Sequence, residues 1–204
     1  MKRTLLTGSA ALLLLLSLSA LSAVQASASG GRILLNENAW DHDPLQVYIR
    51  ASPSLQAYVG YVQTALGDWS SALQGISNNS NAFGFTIVDE KNDADILIYV
   101  YSVEPEYQQF LGLTRWFDYD EDGIFDKASI EIGVSDISGD EIDFMNIARH
   151  EIGHALGLRH EITSEFDLMD PTYSISGINT PIYPSALDLK ALLYIYYPDG
   201  FGLP

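Results

Sequence analysis

The chain predicts an α/β (α+β) domain: a sheet, a long backing helix, a second helix carrying the chemistry, and a small C-terminal lobe. Three observations carry this. Five apolar or alternating runs have the length of strands, at 45–49, 83–88, 96–101, 111–117 and 129–134. Leu55, Val59, Val62, Leu66, Trp69 and Leu73 instead recur at helical spacing. Strand-like and helix-like segments are mixed without strict alternation and without an internal repeat, which argues against a solenoid or a doubly wound parallel sheet.

The first segment is set apart from that domain. Lys2 and Arg3 precede an apolar run from Leu12 to Leu16, followed by the small-residue sites Val24-Gln25-Ala26 and Ala26-Ser27-Ala28. This is the layout of an export signal, so residues 1–28 are expected to be removed and 29–204 to form one catalytic-size domain. No second long apolar stretch follows, and the expected product is secreted, extracellular and free of the membrane. Losing Lys2 and Arg3 moves the net charge from −17 to −19. So acidic a surface argues against nucleic acid and anionic membranes as partners. With no cysteine, stability has to come from packing and bound metal rather than disulfides.

Along the domain, Leu45 to Ile49 reads as a strand with Val47 and Ile49 on one face. Ser52-Pro53 has the look of a helix start, a capping hydroxyl before proline, and the helix it opens should end near Gly75. The polar tract Ser77 to Asn81 is a loop. The run Ile96 to Tyr101 is apolar almost throughout, as in a central strand buried on both faces. Two further strands, Leu111 to Phe117 and Ser129 to Val134, flank an acidic turn. A helix from Asp143 to Leu156 follows, then a stretch from Glu161 to Tyr183 with little periodicity. Ser185 and Asp188 form a capping box for a last helix to about Tyr197.

The most informative segment is His150-Glu151-Ile152-Gly153-His154-Ala155-Leu156-Gly157-Leu158-Arg159-His160. Two imidazoles four apart on a helix share a face and reach one metal ion. Gly157 lets the chain turn so that His160 returns to the same ion. Three neutral nitrogens leave the fourth tetrahedral position of Zn²⁺ open to water or substrate. Glu151, beside the first ligand, is placed to take a proton from that water. The competing reading, a helix with scattered surface histidines, sits badly with three of only four histidines falling in eleven residues.

A second ion site is read in Asp118, Asp120, Asp122 and Asp126. Alternate carboxylates followed by Gly123 match the first half of a calcium loop. Ser129 stands where a bidentate glutamate would close such a loop, and an acidic hairpin turn explains the same residues. Trp116 and Phe117 suit packing as well as substrate contact. His42, between Asp41 and Asp43, reads as a surface histidine.

The extended zinc motif resembles that of the metzincin metalloproteases. Leu168-Met169-Asp170-Pro171-Thr172-Tyr173 is similar to the methionine turn of their matrixin branch. The resemblance implies a twisted five-stranded mixed sheet with one antiparallel edge strand, against which a peptide pairs as an added strand. It places Met169 beneath the metal, Pro171 and Tyr173 in the wall of the substrate pocket, and Leu111-Gly112-Leu113-Thr114 at that edge, so that Gly112 and Leu113 line the pocket. It also makes Asp188 a brace for the methionine turn. A thioether suits a three-histidine zinc site poorly, which agrees with a packing role for Met169. Glu161 departs from the matrixin pattern, where serine or threonine follows the third histidine, and the spacing from His160 to Met169 is one residue longer. The reading as a whole is a secreted zinc endopeptidase acting on protein or peptide substrates, with Glu151 as general base. Its rival is a non-enzymatic fold that keeps zinc for stability.

Overall fold

The main sheet has the strand order β4-β3-β5-β7-β6, and every neighbouring pair in it but the last is parallel. Its strands are β3 (Leu45–Ala51), β4 (Phe85–Ile87), β5 (Ile96–Ser102), β6 (Gly112–Phe117) and β7 (Lys127–Val134). The computed structural model describes residues 25–28, 31–36, 38–76, 84–103, 112–134, 141–161, 167–170 and 180–196. Among them no helix is long and apolar enough to cross a membrane. The five-stranded mixed sheet and the antiparallel edge strand are as expected.

One face of the sheet is the core. Val47, Ile96, Ile98, Val100, Ala128, Ile130 and Ile132 alternate along three strands and are buried against α1 (Ala57–Ile76) and α2 (Glu141–Ala155). The other face is more open than β5 suggested. Leu97 is buried there, but Tyr99 is half-buried and Tyr101 exposed, because among the described residues no helix covers that side. α1 presents Val62, Leu66, Trp69 and Leu73 to the core, the stripe read from the sequence. Its start differs from expectation. Ser52 makes no side-chain cap; a 3₁₀ turn over Pro53–Leu55 leads in, and Leu55 N–H bonds the Ser52 carbonyl at 2.8 Å. Proline at the first position already lacks the N–H that a capping hydroxyl would serve.

The C-terminal helix α3 (Ala186–Tyr196) does carry its capping box. Ser185 N–H bonds Asp188 Oδ2 at 2.7 Å, and Ser185 Oγ accepts from Asp188 N–H at 3.2 Å.

A second, three-stranded sheet went unpredicted: β1 (Gln25–Ala28), β2 (Gly31–Leu35) and β8 (Leu158–Glu161), antiparallel throughout. Both expected cleavage points, after Ala26 and after Ala28, lie in β1. Pairing of Leu35 with Leu158 and Ile33 with Glu161 lays β2 along the strand that carries His160. Strands this short, with no apolar alternation of their own, leave little periodic signal.

Candidate active site

Three residues of α2, His150, Glu151 and His154, and the turn beyond it bring the site together. His150 and His154 lie one turn apart on α2, with ring centroids 4.6 Å apart. The helix ends at Ala155, and Gly157 adopts a φ of +100°, the left-handed conformation that glycine takes without cost. This reverses the chain into β8 and returns His160 to within 4.8 Å of His154 and 5.4 Å of His150, centroid to centroid. One ring nitrogen from each of the three lies within 4.8 Å of the others.

Their tautomers suit a cation. His150 Nδ1 sits 2.6 Å from the Leu168 carbonyl and His154 Nδ1 2.7 Å from the Leu158 carbonyl. A carbonyl only accepts, so each Nδ1 carries the hydrogen and each Nε2 keeps its lone pair for a metal. Burial holds both rings neutral, lowering His150 to about 4 and His154 to about 3; His160 is lowered too. Three neutral imidazoles with one open side match the donor set of a catalytic Zn²⁺.

Glu151 follows His150 on α2, and its carboxyl lies against the edge strand β6. Thr114 Oγ1 is 2.6 Å from its Oε2, and burial pushes the carboxyl up to about 7 against that hydrogen bond. Gly112 leaves the space the carboxylate fills: a Cβ there would stand 2.6 Å from Glu151 Cδ and 2.7 Å from Cγ. Gly112 and Thr114 therefore face the site on one side of β6. Leu113, between them, points to the other side, is partly exposed, and sits in register with Glu131.

Met169 is fully buried beneath α2, where a Cβ on Gly153 would come within 2.6 Å of its sulfur. Its turn is tied to the site twice, by the Leu168 carbonyl on His150 and, next to His160 on β8, by Glu161 N–H on the Met169 carbonyl at 2.7 Å. Asp188, fully buried, lies against Asp167 just before the turn. Burial first, and the neighbouring Asp167 second, raise its carboxyl to about 7. Pro171 and Tyr173 lie outside the described residues.

Sequence reasoning missed Thr114 and the use made of tryptophan. All three tryptophans donate an indole N–H to a carbonyl of α2: Trp69 to Arg149 at 2.9 Å, Trp116 to His154 at 2.6 Å, Trp40 to Ala155 at 2.9 Å. The last two satisfy carbonyls that a helix end leaves without intrahelical partners. Thr114 was detectable only in part: two residues from Gly112 on a strand, it had to share its face.

In the acidic turn, oxygens of Asp118, Asp120 and Asp126 lie within 4.8 Å of one another; Asp122 is outside that trio and accepts from Ile124 N–H at 2.8 Å. The nearby carboxylates, Asp122 foremost, raise Asp120. His42, exposed, bonds Asp41 and Asp95.

A comparison with curated proteins finds no match. Residues 39–197, by contrast, match the family model described as Matrixin, a span that includes the main sheet, all three histidines, Glu151, Met169 and α3. With that match over more than half its length, the chain belongs to the matrixins, a family of zinc-dependent metallopeptidases.

Proposed function

We propose that the chain is an exported endopeptidase in which His150, His154 and His160 hold the catalytic Zn²⁺ and Glu151 is the general base. The single observation that carries the reading is the Glu151 carboxylate, buried beside three neutral imidazoles and at the edge of a sheet. When bound, the ion supplies Lewis acidity to a water and to the scissile carbonyl. The rest falls to the chain. Among the described residues β6 is an edge strand of the main sheet, with β4 at the other edge, and an extended peptide can add to it as a further strand, pairing with its main chain. Leu113 takes part through its backbone in that arrangement. Glu151 takes the proton of the attacking water and delivers it to the departing amine. Gly112 gives the carboxylate room to lie against the strand that carries the substrate.

Pro171 and Tyr173 complete the pocket wall in this reading, and Met169 floors the site. Export rests on Lys2, Arg3, the leucine run and the small-residue cleavage sites. A calcium ion in the acidic turn rests on the three converging carboxylates.

The test is Glu151→Gln, nearly isosteric and unable to accept the proton. Turnover of an internally quenched peptide should fall about 10²–10⁴-fold while zinc stays at full stoichiometry. Undiminished turnover would overturn the assignment.

A further inference from the structure

We propose that Thr114 is a positioning residue, whose hydroxyl fixes the Glu151 carboxylate in the orientation that general-base catalysis needs. The inference rests on the reading of Glu151 as base and extends it to the edge strand.

Thr114 is buried on β6, and its Oγ1 lies within reach of two acceptors on one residue, Glu151 Oε2 at 2.6 Å and the Glu151 carbonyl at 3.0 Å. A hydroxyl has one hydrogen. The carbonyl already belongs to the helical ladder of α2, whereas Oε2 is an ionisable oxygen in a buried site. The hydrogen therefore goes to Oε2, as a short charge-assisted bond. That bond leaves Oε1 as the oxygen free to take a proton.

Gly112 completes the restraint from the same face of the strand. The carboxyl lies where a side chain on residue 112 would be, with Cγ and Cδ under 3 Å from the position of a Cβ and Oε1 closer still. The carboxylate is thus held at one oxygen by Thr114 and laid against bare backbone at the other. Rotation of Glu151 about its side-chain bonds would break the first contact. Among the described residues β6 is also an edge strand of the main sheet. Substrate pairing and base orientation are consequently set by one element.

Thr114→Val removes the hydroxyl and keeps the shape; Thr114→Ser keeps the hydroxyl. In zinc-loaded full-length protein, the valine variant should lose about tenfold or more in kcat with KM within about twofold, since the lost contact orients the base rather than binding peptide. The serine variant should restore most of kcat. Independently of turnover, the infrared carboxylate band of Glu151, identified by its loss in Glu151→Gln, should shift in Thr114→Val and return in Thr114→Ser. Thr114→Ala carries the same expectations as the valine variant should that chain fail to fold. Wild-type kcat and an unshifted band in the variants without the hydroxyl would overturn the proposal. So would a serine variant as slow as valine, since that would make residue 114 a packing position only. If Glu151→Gln is inactive and Thr114→Val is fully active, the positioning role fails alone; if Glu151→Gln is active, the base assignment fails first.

Discussion

Gly153, inside the zinc motif, is open to a decisive substitution by alanine. In an exposed helix the change stabilises by about 1 kcal/mol, because glycine has more backbone freedom to lose. Here the new Cβ would lie 2.6 Å from Met169 Sδ, 3.3 Å from its Cε and 3.0 Å from Trp69 Cζ2. Ordinary contacts are about 3.5–4.0 Å, so something has to move by about 1 Å. Trp69 is fully buried and tethered by its indole N–H to the Arg149 carbonyl. Met169 is fully buried, and its turn is bonded to β8 and to His150. With neither neighbour free, the overpacking cost belongs at the upper end of the usual range, about 3 kcal/mol. The net loss is about 2 kcal/mol, which for a domain of this size lowers Tm by about 4–8 °C. Gly67→Ala is the control: it lies exposed on α1 with nothing within 4 Å of a Cβ, and it should raise Tm by about 2–4 °C. Calorimetry of zinc-loaded protein reads both. A Gly153→Ala Tm at or above wild type, with Gly67→Ala behaving as expected, would refute the argument that the methionine turn is packed against this glycine.

Two further outcomes test the ions. At pH 6, three imidazoles of ordinary pKa would together hold about two protons for zinc to displace. Burial lowers His150 to about 4 and His154 to about 3, so both are already neutral at that pH. Zinc binding to metal-free Glu151→Gln, which removes the other group titrating in that range beside the ligands, should release about one proton or fewer; calorimetry in buffers of different ionisation enthalpy measures this, and two or more would contradict neutral histidines. The same shifts set a sign for the metal-free fold: with folded pKa values below the free ones, these histidines favour the folded state increasingly as pH rises from about 3 to 6.5. If the acidic turn binds calcium, Tm should rise in millimolar calcium and Asp126→Asn should blunt the rise; a flat titration would remove that ion from the reading.

What the sequence determined by itself was everything expressed as a local period or spacing. At 3.6 residues per turn, a spacing of four places His150 and His154 on one face of any α-helix. The Gly157 turn, the α1 stripe, the Ser185–Asp188 cap and the five sheet strands are likewise near-neighbour properties, and the mixed sheet with one antiparallel edge strand followed from the matrixin resemblance. Tertiary structure decided what depends on residues distant in the chain. Thr114 reaches Glu151 across 37 positions, and Trp40 reaches Ala155 across 115. Neither bond has a sequence period, because a hydroxyl or an indole N–H seeks whatever acceptor packing brings to it. The β2–β8 pairing is of the same kind: two short strands identified by each other rather than by their own patterns. The motif's spacing supplied the three histidines and Glu151, and packing supplied the imidazole tautomers, their neutrality and the orientation of the carboxylate. Those depend on burial and on partners contributed by other elements, which no local stretch of residues encodes.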